Sequence, residues 1–433
     1  MRQRPVGILR RCRVSASSGF LPEPVPIKRL PDPYYEPWET TAASLPRLIQ
    51  NDQARARIDD LPVLDTERLI GEEEWRRAYS ILAFLTHAYI WSGEMPSDRL
   101  PPQLTCPFLS VSEHFGLPPI ATFAALSLWN FQLDSGSSDA SNPENLKSIL
   151  SFTGTKSEEW FYMISTAIEA KAAPLILTML HCIEAVDAGD NGTVLFCLQT
   201  LTNGIREVGK LLQRMHEKCD PQIFYHNVRP LCAGTKGMGA AGLPRGVFYD
   251  EGDGQGQWRQ YSGGSNAQSS LIQLFDIFLS VDHSATGGSE LSPRVSAKSK
   301  GYLKEMRDYM PASHREFLLH VERLSNVRAF VSNGSASIDV VEAYNDAVTA
   351  LASLRNVHIQ IVARYIVMPS KSAPAPHVLT RKGKNLATAC SDQGVERTDG
   401  NASVTRQLHG TGGTSVMPFL KRTRDETRDA VIS

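Results

Sequence analysis

The sequence predicts an all-α protein on three observations. Apolar residues recur at spacings of three and four along most of the chain, strand-like alternation is scarce, and no internal repeat is found. Residues 20–36 (LPEPVPIKRLPDPYYEP) hold too many prolines for a helix and read as an extended arm. From Trp38 to about residue 96 the pattern is helical, as in EEEWRRAYSILAFLTHAYIW. Proline-marked turns at 95–107 precede LPPIATFAALSLWNFQL, a helix that starts at its prolines. The polar run SGSSDASNP (135–143) reads as a boundary. A second helical block begins near residue 157 with EEWFYMISTAIEAKAAPLILTMLHCIEAV and continues from Val194 to about His216. Residues 230–266 are glycine-rich and aperiodic, a long loop of the kind that is either functional or disordered. Helical patterning resumes at 269–281 (SSLIQLFDIFLSV) and runs through 301–331 and 337–367.

The expected organisation is a disordered basic tail (1–19), a small N-terminal helical domain (20–150), a large C-terminal helical domain (151–369), a flexible polar segment (370–409), and a GTGGT loop with a terminal helix (410–433).

Composition narrows the function classes. The 433 residues are 42% hydrophobic and 21% charged, ordinary globular values that permit a large core. Lys plus Arg number 45 against 46 Asp plus Glu, so no basic excess points to nucleic acid or an anionic membrane. No run of about 18 apolar residues occurs, and no membrane span is expected. The cysteines (Cys12, Cys106, Cys182, Cys197, Cys219, Cys232 and Cys390) form no CxxC pair, which argues against a zinc ribbon or a disulfide framework. A reduced, cytoplasmic protein is expected. The first 19 residues carry five arginines and no acid; this resembles a transit peptide in composition, though an untargeted tail is the favoured reading.

No HExxH, Walker loop, GxSxG or H-x3-H pattern is present. GMGAAG (237–242) fits G-x-G-x-x-G formally but lacks the following helix, since LPRG comes next. In LRNVHIQIVARYI (354–366), Leu351, Leu354, Ile361, Val362 and Tyr365 share a helix face with His358. A histidine inside an apolar stripe is either a core residue bound to a carbonyl or the single imidazole ligand that a haem requires. Arg355, one turn earlier, reads as a propionate partner or a surface arginine. Asp276, the only acid in its helix, reads as a support for the histidine or as a charge meeting a cation elsewhere. In DPQIFYHNVRPL (220–231), Phe224, Tyr225 and Arg229 could hold a flat amino acid by its ring and carboxylate.

These residues resemble the indoleamine 2,3-dioxygenases, haem enzymes that open the indole ring of tryptophan. The resemblance runs from GFLPEPVP (19–26) to about residue 425 and rests on LPPIATFAALSLWN, WFYMISTAIEA, FYHNVRP, YSGGSNAQSS, FDIFLS, MRDYMPASHREFL, LRNVHIQIVARYI and GTGGT. It implies that His358 is the proximal ligand of haem b, active when ferrous, in the large domain. It implies further that Asp276 supports that ligand and Arg355 a propionate, and that Ser265 and Asn266 lie beside the haem. For the substrate it implies Arg229 at the carboxylate, the ring between Phe161 and Phe224, Tyr225 nearby, Gly264 and Ser265 at the ammonium group, Ser165 orienting over the iron, and Thr411 in a closing loop. The expected reaction joins L-tryptophan or a related indoleamine to O2, giving N-formylkynurenine on the kynurenine route to NAD. An external electron donor keeps the iron ferrous, and the protein is expected to be monomeric. Phe123 and Leu126 stand where tyrosine and cysteine occur in vertebrate members. That departure keeps open a low-turnover haem-binding sensor of the same fold.

Overall fold

A computed structural model of the chain describes residues 5–283, 301–376, 378, 408, 410–411 and 416–432. Nine helices frame the site: α1 (Pro5–Arg11), α2 (Gly71–Trp91), α3 (Pro102–Phe115), α4 (Lys156–Ala188), α5 (Asn191–Gln213), α6 (Ser270–Phe278), α7 (Ala312–Leu324), α8 (Ile338–Val362) and α9 (Val416–Arg428). Their limits follow from local chemistry. Glu72, Glu73 and Glu74 open α2 at the positive end of its dipole, and every residue from Arg77 to Ala88 is buried. Pro102 starts α3, which ends at Gly116 with φ +60°. Thr155 caps α4 by accepting from the Glu158 N–H. The buried Glu158 carboxylate accepts from the N–H groups of Phe152 and Thr153, both at 2.7 Å, and so fastens the loop before α4.

One window of α4 is long and apolar enough to cross a membrane by length and composition alone, but 67% of it is buried within the protein. Helix α5 packs against α4 and α8, and α9 lies along α8. The buried apolar residues form one main cluster that reaches from Ile8 to Ala430, with Phe84 of α2 stacked on Phe152 at 4.3 Å. This all-α class is as predicted.

Three segments differ from expectation. The stretch LPPIATFAALSLWNFQL is not a helix from its prolines onward but a loop, the single π-turn Ala124–Leu128 and a strand at Phe131–Leu133. The N-terminal stretch is not a loose tail from residue 5 onward, because α1 packs against α4 and α7. Ile8, Leu9, Cys12 and Val14 are buried there, and Arg11 pairs with Glu316 at 2.5 Å. The arginines mask an apolar face that is only two turns long. The glycine-rich stretch is not structureless either. Short strands β1 (Arg99–Leu100), β2 (Phe131–Leu133), β3 (Leu146–Ser148), β4 (Val247–Gly252) and β5 (Gln255–Arg259) are present. Strand β4 runs parallel to β1 and forms a hairpin with β5, while β2 and β3 pair antiparallel. Asp253 and Gly254, at φ +49° and +76°, make the hairpin turn, a D-G signal that helical periodicity does not register. Most of the expected flexible segment, 379–407, lies outside the described residues.

Candidate functional site

A mainly apolar cavity of about 170 Å³ lies among α4, α5, α8, α9 and the loop 263–267. Three π-helical turns interrupt regular winding among the described residues: Ala124–Leu128, Phe224–Val228 and Ala363–Val367. Each contributes to the cavity wall, through Leu126 and Ser127, Phe224, and Tyr365 and Ile366 respectively. The extra residue in such a turn redirects side chains that an α-helix would space evenly, and these turns recur at functional sites.

Arg229 follows directly on the second π-turn and is only 4% exposed, with its guanidinium 5.8 Å from the Tyr225 ring. Its guanidinium lines the cavity, and a guanidinium can pair with a carboxylate through two parallel N–H groups. Its loop is held from α2. His87, fully buried, bonds the Leu231 carbonyl through Nδ1 at 2.7 Å, and its Nε2 accepts the Ala121 N–H at 3.0 Å. The second bond fixes the tautomer, because Nε2 must carry a lone pair and the proton therefore sits on Nδ1. Burial lowers the His87 pKa to about 4, which keeps the ring neutral. Trp91 Nε1 donates to the Ala233 carbonyl at 2.9 Å. Helix α2 thus pins both the residues after Arg229 and the segment that enters the first π-turn.

The glycine loop is a close-approach device. A Cβ on Gly263 would stand 2.3 Å from the Cys232 carbonyl oxygen, and one on Gly264 2.5 Å from Leu126 Cδ1. Thr411 closes over these backbones. Its carbonyl accepts the Gly263 N–H at 3.0 Å, and its hydroxyl donates to the Gly264 carbonyl at 2.8 Å.

His358 stands on the cavity wall with Ile361, Val362 and Tyr365 of its own stripe, while Leu351 and Leu354 pack into the core. Burial, and then the charge of Arg355, lowers its pKa to about 4, so the ring is neutral. No hydrogen bond joins it to another described residue, and among the described residues no cluster of three His, Cys, Asp or Glu side chains suits a metal ion.

Several predicted residues are brought together here: Phe161, Phe224, Arg229, Gly264, Ser265, Asn266, His358 and Thr411 all line the cavity. Four do not line it. Asp276 bonds both oxygens to Arg355 Nη2, at 2.6 and 2.8 Å, and faces a neighbouring cavity, making no bond to His358. Burial would raise its pKa, but Arg355 and then His283 hold it below the usual carboxylate range. Arg355 is spent on that pair and on Thr427 Oγ1 at 3.1 Å, although its buried Nε has no partner among the described residues. The Ser165 hydroxyl turns back to the Phe161 carbonyl at 3.3 Å, and Tyr225 packs behind the wall. One expectation needs a further correction. Phe161 and Phe224 touch each other with ring centroids 4.6 Å apart, so they form one wall and leave no slot between them. Sequence reasoning missed Ser127, Leu212, Met215 and Cys232 on the wall and His87 behind it. The LTHAYIW run carried the histidine signal, but nothing in it marked two distant backbone partners.

Fold and site together describe a helical protein with a partly open, mainly apolar cavity. The chain belongs to the indoleamine 2,3-dioxygenase family, whose model matches residues 8–430. It is 43% identical over 425 residues to indoleamine 2,3-dioxygenase acdA of Aspergillus candidus, covering 97% of this chain and 96% of that one. It is 40% identical over 443 residues to the indoleamine 2,3-dioxygenase of Saccharomyces cerevisiae, with 98% and 94% covered. The 6-hydroxytryptophan 2,3-dioxygenase fscD of Fusarium equiseti is 37% identical over 420 residues, with 96% of each chain covered.

Proposed function

We propose that the chain inserts both atoms of O2 across the indole C2–C3 bond of L-tryptophan or a ring-modified tryptophan, giving N-formylkynurenine or its substituted counterpart. The observation that carries this is a neutral His358, without a hydrogen bond to another described residue, on a mainly apolar wall that also presents Arg229. Relatives named for indoleamine and for 6-hydroxytryptophan support the reaction class and bracket the substrate.

The residues present fit a haem b. His358 is an imidazole with no hydrogen bond to another described residue, and the wall around it is mainly apolar. When bound in its ferrous form, kept so by an external electron donor, that group supplies O2 binding and activation. The chain's own residues do the rest. Arg229 takes the substrate carboxylate, the joined Phe161–Phe224 wall takes one face of the ring, and Thr411 closes the mouth against water. The atoms of substrate and O2 all remain in the product, so no side chain is required as a net proton donor. This leaves Ser165, bonded to its own helix, a packing role.

The test is the visible spectrum of haem-reconstituted protein, followed by product formation from L-tryptophan and O2 under reducing conditions. Wild type should show both, and His358→Ala should lose both. Haem binding without product from any indole amino acid would favour the sensor reading instead.

A further inference from the structure

We infer that Ser127 is a specificity-determining residue that hydrogen-bonds a hydroxyl on the benzene half of the substrate's indole, so that the chain favours ring-hydroxylated tryptophans. The inference rests on the indole-amino-acid reading above and deepens it.

Ser127 sits in the π-turn Ala124–Leu128, and both it and Leu126 line the cavity. Its main chain is fixed, because the Thr166 hydroxyl donates to the Ser127 carbonyl at 2.9 Å, one residue beyond Ser165 on α4. That contact ties Ser127 to α4, the helix whose Phe161 lines the same cavity and would meet the ring. Ser127 is 3% exposed, yet its hydroxyl makes no hydrogen bond to another described residue.

The neighbouring polar groups are engaged. The Thr411 hydroxyl donates to Gly264, Ser265 Oγ accepts the Ala267 N–H, and the Tyr365 hydroxyl meets the Met215 and Cys219 carbonyls at 3.1 and 3.0 Å. A wall built only for the carbon edge of an unsubstituted indole would gain nothing from a hydroxyl at this position, since an unmet polar group in an apolar setting is unfavourable. A substrate hydroxyl removes that penalty on both sides. A site that hydrogen-bonds a substrate hydroxyl discriminates against the analogue lacking it, whereas an all-carbon wall barely does.

The experiment compares kcat/KM and calorimetric Kd for L-tryptophan, 5-hydroxy-L-tryptophan and 6-hydroxy-L-tryptophan in wild type, Ser127→Ala and Ser127→Thr, each reconstituted with haem. For at least one hydroxylated isomer, the ratio of its kcat/KM to that of tryptophan should fall about tenfold in Ser127→Ala and return in Ser127→Thr. The Kd ratio should move with it. Ratios that stay constant across the three proteins overturn the role of Ser127 while leaving the dioxygenase reading intact. Wild-type protein that binds haem but consumes none of the three amino acids overturns both.

Discussion

At the scale of single residues, charge and shape make separable demands. Replacing Arg229 by alanine leaves the substrate carboxylate in an apolar cavity without its cation. The expected loss in kcat/KM is about 2–3 kcal/mol, roughly a hundredfold, because charge-assisted bonds in such settings are strong. Steady-state kinetics on the haem-loaded variant would show it, and an unchanged kcat/KM would remove Arg229 from the carboxylate. Gly263 and Gly264 are adjacent but predict different failures. A methyl on Gly264 meets Leu126 Cδ1 at 2.5 Å, the far end of a flexible side chain, and the Ala121 carbonyl oxygen only at 3.3 Å, so Gly264→Ala should fold and push Leu126 into the cavity. Turnover should drop and be partly restored in Gly264→Ala/Leu126→Ala. A methyl on Gly263 meets the Cys232 carbonyl and the Gly234 backbone N, 2.3 and 2.4 Å away, which cannot yield as a side chain does. Gly263→Ala should therefore lower the thermal midpoint, and no second-site truncation should rescue it.

At the scale of elements, the site depends on what regular helices cannot supply. The three π-turns and the His87 and Trp91 bonds from α2 set the wall, and none of this follows from periodicity. His87→Ala would strand the Leu231 carbonyl and the Ala121 N–H in the interior, costing about 1–3 kcal/mol for each group. Because Leu231 lies two residues from Arg229, KM should rise more than kcat falls, with His87→Gln recovering part of the loss. A folded His87→Ala protein with unaltered KM would show that α2 does not position Arg229. The same distinction explains what was legible in the sequence. The long helices announced themselves through apolar spacing and caps such as Thr155. His358 stood out because its stripe was otherwise apolar, and Arg229 through the aromatics before it. The α1 helix was hidden by its arginines, and the β4–β5 hairpin by glycines that break any helical pattern. Asp276 and Arg355 were both recognised as unusual, but sequence offered no way to see that they would satisfy each other. The wall contact of Phe161 and Phe224 was equally invisible, because residues 63 positions apart in the chain carry no mutual distance.

At the scale of the whole molecule, the buried ionisable groups make stability depend on pH in opposing directions. His87 and His314 are driven down by burial to about 4 and about 3. Below pH 6.5 the unfolded chain binds protons that these folded rings refuse, so both weaken the fold as pH falls towards 4. Glu169 acts the other way. It is 2% exposed on α4, with one oxygen accepting from the Ser269 hydroxyl at 2.6 Å and the other without a partner among the described residues, and burial raises its pKa from 4.5 to about 7. Between those two values the folded carboxyl keeps a proton that the unfolded one has lost. Unfolding then releases a proton, and stability falls as pH rises through this window by about 1.4 kcal/mol per pH unit. Glu169→Gln removes this one contribution and leaves the histidines in place. Relative to wild type, the variant should gain about 3 kcal/mol between pH 4.5 and 7, with little further change on either side. Urea unfolding of both proteins at pH 4.5, 5.5, 7 and 8 measures that difference. A difference that stays flat across the series would mean that Glu169 is ionised in the folded protein, with a cation meeting its second oxygen.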